Sequence, residues 1–92
     1  MEKIILYTAS VIIYTISTCP YCIKAKILFD KKMVKYKEIN IENDLSLKES
    51  MTKKSNGRKT VPQIFINDVH IGGCDDLYNL ENQGKLDELL KE

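Results

Sequence analysis

The chain is poor in cysteine, with three residues placed as Cys19-Pro20-Tyr21-Cys22 and a solitary Cys74. An odd, sparse set excludes the stapled framework of a small secreted domain, so the expected compartment is the reducing cytoplasm. It also lacks an excess of charge of either sign. Lys and Arg number 14 against 13 Asp and Glu, for a net charge of +1, which gives no ground for nucleic acid or a membrane surface as partner. There is no long apolar run either. The stretch from Ile4 to Ile16 is diluted by Tyr7, Thr8, Ser10, Tyr14 and Thr15 and is too short and polar to span a bilayer. Glu2 and Lys3 cancel ahead of it and no small-x-small cleavage pattern follows, so a signal peptide is not expected. Finally, ligands for zinc are missing, because Cys74 and the single histidine, His70, are spaced unlike any common finger pattern. No metal is expected, and His70, without a partner pattern for acid–base work, reads as structural.

What is present is a globular composition, 43% hydrophobic and 29% charged over 92 residues, enough for one core and too short for two. Its charge is unevenly distributed. Lys24, Lys26, Lys31, Lys32, Lys35 and Lys37 face only Asp30 in their stretch, whereas Asp75, Asp76, Glu81, Asp87, Glu88 and Glu92 crowd the end. Solvated helix faces account for this, with attraction of an anionic thiol ligand as the alternative.

A near-repeat marks the start, where Ile4-Ile5-Leu6-Tyr7-Thr8-Ala9-Ser10 is echoed by Val11-Ile12-Ile13-Tyr14-Thr15-Ile16-Ser17. The second copy leads straight into the cysteines and reads as a buried first strand over 11–15. Residues 1–10 are then an extension, expected to be dispensable for activity, and residues 11–92 a single domain. Pro20 suits a first helical turn, and Tyr21, Ala25, Leu28 and Phe29 share a face, with Ile23 and Ile27 on another. Such a helix, apolar on more than one side, would pack on a sheet. Residues 34–41 alternate like a second strand, and Ser46 with Glu49 forms a capping-box signature for a helix stopped by Asn56-Gly57. Gln63 to Ile66, the turn Asn67-Asp68 and Val69 to Ile71 read as a hairpin ended by Gly72-Gly73. Asp75 then caps a helix carrying Leu77 and Leu80, and a last turn or two follow Gly84. A helix between the first two strands implies a parallel pair, and the later hairpin is antiparallel. The expected fold is α/β and thioredoxin-like: a four-stranded mixed sheet covered by helices.

Placed at the helix N-cap, the Cys19 sulfur meets the unpaired N–H groups of the first turn and the positive end of the helix dipole. Both favour thiolate, the nucleophile of disulfide exchange and a good leaving group. Cys22, three residues on, can attack a mixed disulfide on Cys19 but has fewer free N–H groups to stabilise its own charge. Cys19 is therefore the attacking and Cys22 the resolving catalytic residue. Pro20 holds the active-site turn without wasting a donor, and Tyr21 shields one side of the pair.

Thr18-Cys19-Pro20-Tyr21-Cys22, Lys24-Ala25-Lys26, Thr60-Val61-Pro62-Gln63-Ile64-Phe65-Ile66 and Ile71-Gly72-Gly73-Cys74-Asp75-Asp76-Leu77 together resemble the glutaredoxin family, in its bacterial dithiol glutaredoxin-3-type form, over about residues 11–91. The resemblance implies a glutathione-dependent thiol-disulfide oxidoreductase that reduces protein disulfides and protein-glutathione mixed disulfides, with glutathione as co-substrate, and it is expected to be monomeric. It implies a cis Val61-Pro62 bond that leaves the Val61 N–H and C=O free to pair with the cysteine moiety of glutathione. Thr60 and Pro62 belong to the same loop. Gly72 and Gly73 would permit close backbone approach, the N–H groups of Cys74 and Asp75 would receive the γ-glutamyl carboxylate, the Asp75 side chain its ammonium, Arg58 the glycine carboxylate, and Tyr21 would line the groove. Cys74 reads as a small residue whose backbone binds ligand, with regulatory oxidation as the alternative.

One departure stands out. The family often carries a lysine three residues before the first cysteine, where this chain has Ile16; Lys24 or Lys53 would have to compensate. Two rival functions remain at this stage: an iron-sulfur carrier, against which Pro20 and the second cysteine argue, and a redoxin fed by thioredoxin reductase.

Overall fold

The computed structural model describes residues 7–91. Four strands, β1 (Val11–Thr15), β2 (Lys37–Asn40), β3 (Gln63–Ile66) and β4 (Val69–Gly72), form one sheet in the order β2-β1-β3-β4. β1 runs parallel to β2 and antiparallel to β3, and β3 runs antiparallel to β4. Four helices accompany them: α1 (Pro20–Lys31), α2 (Leu45–Lys54), α3 (Cys74–Asn82) and α4 (Leu86–Leu90). The mixed, helix-covered sheet expected from the element order is the one observed.

β1 is β-branched and aromatic because both of its faces are covered. Val11 and Ile13 join Ala25, Leu28 and Phe29 of α1, Ile64 and Ile66 of β3, Leu77 of α3, and Leu86 and Leu90 of α4 in the main core. On the other face Tyr14 meets Phe65 edge to face, with ring centroids 5.7 Å apart, and Met51 of α2 closes a second cluster with Ile41. Thr15, fully buried, donates its hydroxyl to Glu38 at 2.7 Å, and that bond, reinforced by Lys26, holds the Glu38 carboxyl below its usual range.

Local details depart from the sequence reading in instructive ways. α1 buries one face only: Ile23 and Ile27 are 51% and 45% exposed. The strand expected over 34–41 shrinks to Lys37–Asn40, because Val34 folds back into the core and its N–H bonds Phe29 O at 2.9 Å. α2 begins one residue before Ser46, with Asp44 as its N-cap accepting from Leu47 N–H at 2.9 Å; the carboxylate is the charged acceptor among the candidates. Its end falls as expected, with Asn56 and Gly57 both at positive φ. The Asn67-Asp68 hairpin turn has both residues left-handed, as a tight two-residue turn requires.

The acidic tail and the basic α1 region meet. Lys32 Nζ lies 2.8 Å from Glu81 Oε1 and 2.6 Å from Asp87 Oδ1. Burial alone would lower the lysine pKa, yet these two hydrogen bonds outweigh it and raise it. Tyr7 also donates to Asp87 at 3.0 Å, Ala9 N–H bonds Leu90 O at 3.3 Å, and Ser10 pairs with Asn67 through both backbone groups and the amide side chain. Residues 7–10 are thus tied to α4 and to the hairpin. The first copy of the near-repeat up to residue 6 lies outside the described residues.

Candidate active site

β1 delivers the chain to Cys19, which caps α1 with extended backbone, φ −144° and ψ 100°. Its sulfur accepts from Cys22 N–H at 3.1 Å. A helix start leaves its first N–H groups without intrahelical partners, so the sequence places a thiol sulfur where a serine or aspartate oxygen would otherwise serve. Pro20 occupies the first helical position, where no donor is lost. Cys22, buried, lies one turn in, and the two cysteines form a disulfide with Cα atoms 5.2 Å apart. The same two sulfurs are therefore able to exchange a covalent bond with each other without unfolding the turn.

Across from Cys19 lies the loop before β3. The Val61-Pro62 bond is cis, and Val61 O stands 4.0 Å from Cys19 Sγ. Beyond it opens a cavity of about 150 Å³ lined by Tyr21, Arg58, Thr60, Val61, Pro62, Gly73, Cys74, Asp75 and Asp76. All the residues that the resemblance marks for glutathione converge there from three separate segments of the chain. Asp76 is the addition.

Asp76 also corrects the expected cap of α3. The helix starts at Cys74 with Gly73 as N-cap, and Asp76 in its third position reaches back to accept from Gly73 N–H at 2.9 Å. The same carboxylate oxygen holds Arg58 at 3.1 Å. Both interactions, the Gly73 hydrogen bond foremost, keep the Asp76 carboxyl below its usual range. Asp75 makes no cap and stays exposed on the cavity rim. Gly72 is required by two constraints at once. Its φ of +118° disfavours any side chain, and a Cβ there would collide with the Asp76 carboxylate and with Arg58.

Below the cavity runs a polar chain that the sequence reading passed over. Gln63, fully buried, accepts from His70 Nε2 at 2.7 Å and donates to Thr60 Oγ1 at 3.2 Å. His70 Nδ1 faces the Asn56 amide at 3.5 Å, which fixes the neutral tautomer with the proton on Nε2. Burial, with Arg58 nearby, lowers the His70 pKa and favours that neutral form. His70 is thus structural in a specific sense, because it anchors the glutamine that anchors Thr60. Cys74 is buried, and burial pushes its thiol up out of the reactive range.

A second hollow, beside the first, is lined by Ile16, Ile41, Glu42, Lys48, Lys59, Thr60 and Val61. Lys48 and Lys59 share that hollow with the apolar Ile16. Lys24 is instead drawn to α3, its Nζ 4.8 Å from the centre of the Tyr78 ring. Spacing alone gave no sign of Lys48 or Lys59, since they come from α2 and from the loop before β3.

The chain as a whole is similar to known proteins. The sequence pattern of the Glutaredoxin family matches residues 11–71. Glutaredoxin 1 of Rickettsia prowazekii (strain Madrid E) is 59% identical over 92 residues, covering 99% of this chain and 95% of its own length. Glutaredoxin 3 of Escherichia coli (strain K12) is 55% identical over 83 residues, 90% of this chain and 99% of its own. Among solved structures, the buckwheat glutaredoxin-glutathione complex superposes with a TM-score of 0.81 at 29% identity, covering 89% of this chain and 76% of that one. The solution structure of the Brucella melitensis glutaredoxin gives 0.79 at 52% identity, over 89% and 88%. With a cysteine pair at disulfide distance on a helix start, and these matches over nearly its whole length, the chain belongs to the glutaredoxin family of thiol-disulfide oxidoreductases.

Proposed function

We propose that the protein is a glutathione-dependent, monomeric dithiol enzyme of the cytoplasm that reduces protein disulfides and protein-glutathione mixed disulfides. The observation that carries this reading is the convergence of Tyr21, Arg58, the Thr60–Pro62 loop and the start of α3 on one cavity that abuts Cys19 through Val61. The buckwheat complex, a glutaredoxin of the same fold with glutathione bound, supports it.

In the first step the Cys19 thiolate attacks the glutathione sulfur of a protein mixed disulfide. A Cys19-glutathione bond forms, the old S–S bond breaks, and the client leaves as a thiolate that takes a proton from solvent. A second glutathione thiolate then attacks that sulfur, releasing glutathione disulfide and restoring the Cys19 thiolate. With a client that carries an internal disulfide, Cys19 bonds the client instead, and Cys22 attacks Cys19 to free the client as a dithiol. Two glutathiones then reduce the Cys19–Cys22 disulfide. The helix N-terminus lowers the cost of each thiolate on Cys19.

In this reading the Val61 backbone groups pair with the cysteine part of glutathione, and the amides of Cys74 and Asp75 take its γ-glutamyl carboxylate, the Gly73 N–H being held by Asp76. Asp75, exposed and free of capping duty, is assigned the ammonium. Arg58, expected from the resemblance at the glycine carboxylate, is held by Asp76 at the Gly73 end and is reassigned here to the γ-glutamyl end, which leaves Lys59, lining the hollow with Ile16 and Val61, for the glycine carboxylate. Cys22→Ser should keep turnover of a small glutathione mixed disulfide and lose that of a dithiol-requiring protein substrate, whereas Cys19→Ser should lose both. Loss of both in Cys22→Ser would refute the division of roles, and activity with thioredoxin reductase but not with glutathione plus glutathione reductase would refute the glutathione reading.

A further inference from the structure

The outer face of α1 is unpartnered among the described residues. At 100° per residue, Pro20, Ile23 and Ile27 fall on the side of the helix turned away from Ala25 and Phe29, and all three are exposed. An isolated exposed isoleucine needs no explanation, but two, one turn apart and in line with a proline, make a stripe. The stripe starts beside the redox pair, since Pro20 lies between the cysteines and Ile23 directly follows Cys22. Lys24 and Lys31 flank it on one side, both exposed, Lys24 with its Nζ over the Tyr78 ring and its charge still open to solvent. On the other side Lys26 is spoken for by Glu38, and Asp30 is the single acid.

We infer that this stripe is a docking surface for client proteins that present, beside the cysteine of the disulfide under attack, an apolar residue followed by acidic ones. The inference rests on the glutathione reading above and names the partner of that same site. Its argument is continuity and charge. A client whose disulfide reaches Cys19 must lay its neighbouring chain against the surface around the start of α1, and on this side that surface is apolar with a cationic border. From Cys19 to Ile27 the helix rises about 12 Å. An extended client strand covers that distance in about three or four residues, which sets where its apolar side chain should stand. Burying two half-exposed isoleucines, with exposed lysines meeting acids, is expected to change client preference by about tenfold.

The test uses three glutathione mixed disulfides: the small hydroxyethyl one and two peptides each glutathionylated on a single cysteine. One peptide carries Leu and Glu three to five residues from the cysteine, the other Ser and Lys in their place. The full chain and its Ile23→Gln/Ile27→Gln variant, which keeps good helix formers at exposed positions, are compared with each. The expected result is about a tenfold kcat/KM preference of the unmodified protein for the Leu/Glu peptide, residing in KM and weakened by salt. The variant should lose that preference and turn over the hydroxyethyl substrate unchanged. A variant that retains the preference, or a parent protein that shows none while turning over all three substrates, overturns the docking surface. Failure of the parent protein on all three with glutathione as reductant overturns the underlying glutathione reading instead.

Discussion

Replacing Asp76 by alanine should cost the protein about 2–3 kcal/mol, and replacing it by asparagine about 1 kcal/mol. The difference between the two substitutions comes from what the carboxylate does. It accepts from Gly73 N–H at 2.9 Å, and Gly73 is buried, so alanine would leave a buried donor without a partner. A charge-assisted hydrogen bond of this kind is worth about 1.5–3 kcal/mol. The Arg58 pair adds little, because both side chains are nearly half exposed, at 46% and 44%, and such pairs contribute roughly 0.2–1 kcal/mol after screening. Asparagine keeps a neutral acceptor for Gly73 and loses only the charge. The pH dependence follows from the sign of the shift. The folded-state pKa of Asp76 is depressed, so its contribution is fully present above the unfolded value near ~3.9 and is lost as pH falls through the lower folded value. Urea denaturation of the reduced proteins, followed by far-ultraviolet circular dichroism at pH 7 and at about pH 2.5, measures both effects. The gap between wild type and Asp76→Asn should narrow toward the acid end, because the carboxylate loses its advantage over an amide as pH falls below the unfolded value toward the lower folded one. An alanine variant as stable as wild type at pH 7, or a wild-type to asparagine gap undiminished in acid, would refute the capping argument.

Gly72→Ala should destabilise by about 2–3 kcal/mol through its positive φ and the collision with Asp76 and Arg58, and should raise KM for glutathione; thermal melts and steady-state kinetics check both. In the reduced protein at neutral pH, iodoacetamide should label Cys19 first and Cys74 last, since burial disfavours the Cys74 thiolate, and peptide mapping that finds them equally fast would contradict this. A chain starting at Val11 should stay active yet lose about 2 kcal/mol with the bonds from Tyr7, Ala9 and Ser10, read as a lower melting temperature.

The strands and helices were legible in the sequence wherever a local signal was strong: the β-branched run over 11–15, the proline after Cys19, the left-handed pairs at Asn56-Gly57 and Asn67-Asp68. Boundaries were less so. Ser46 and Asp75 are good caps in isolation, but Asp44 and Gly73 won because cap position is decided by where the loop enters, which alternation does not report. Eight of the nine residues lining the cavity were legible only through the resemblance, for they come from three distant segments. Asp76 had a local signal, an acid three residues after a helix-starting glycine. The Gln63–His70–Thr60 chain and the lysines beside Ile16 had none, because they depend on strand register and on how α2 settles.

Cys19 caps a helix with the same atom that performs the chemistry, and this couples kinetics to driving force. The Cys22 N–H contact is present with the disulfide formed, but the charge-dependent part of what the first turn gives to Cys19 goes to the reduced protein alone, since a disulfide sulfur bears no charge. A stronger cap therefore yields a larger thiolate fraction and a better leaving group, but also a reduced state that parts with its electrons less willingly. Substitutions in the Pro20-Tyr21 turn cannot tune attack rate and reducing power independently, and selection for one drags the other along the same free-energy axis.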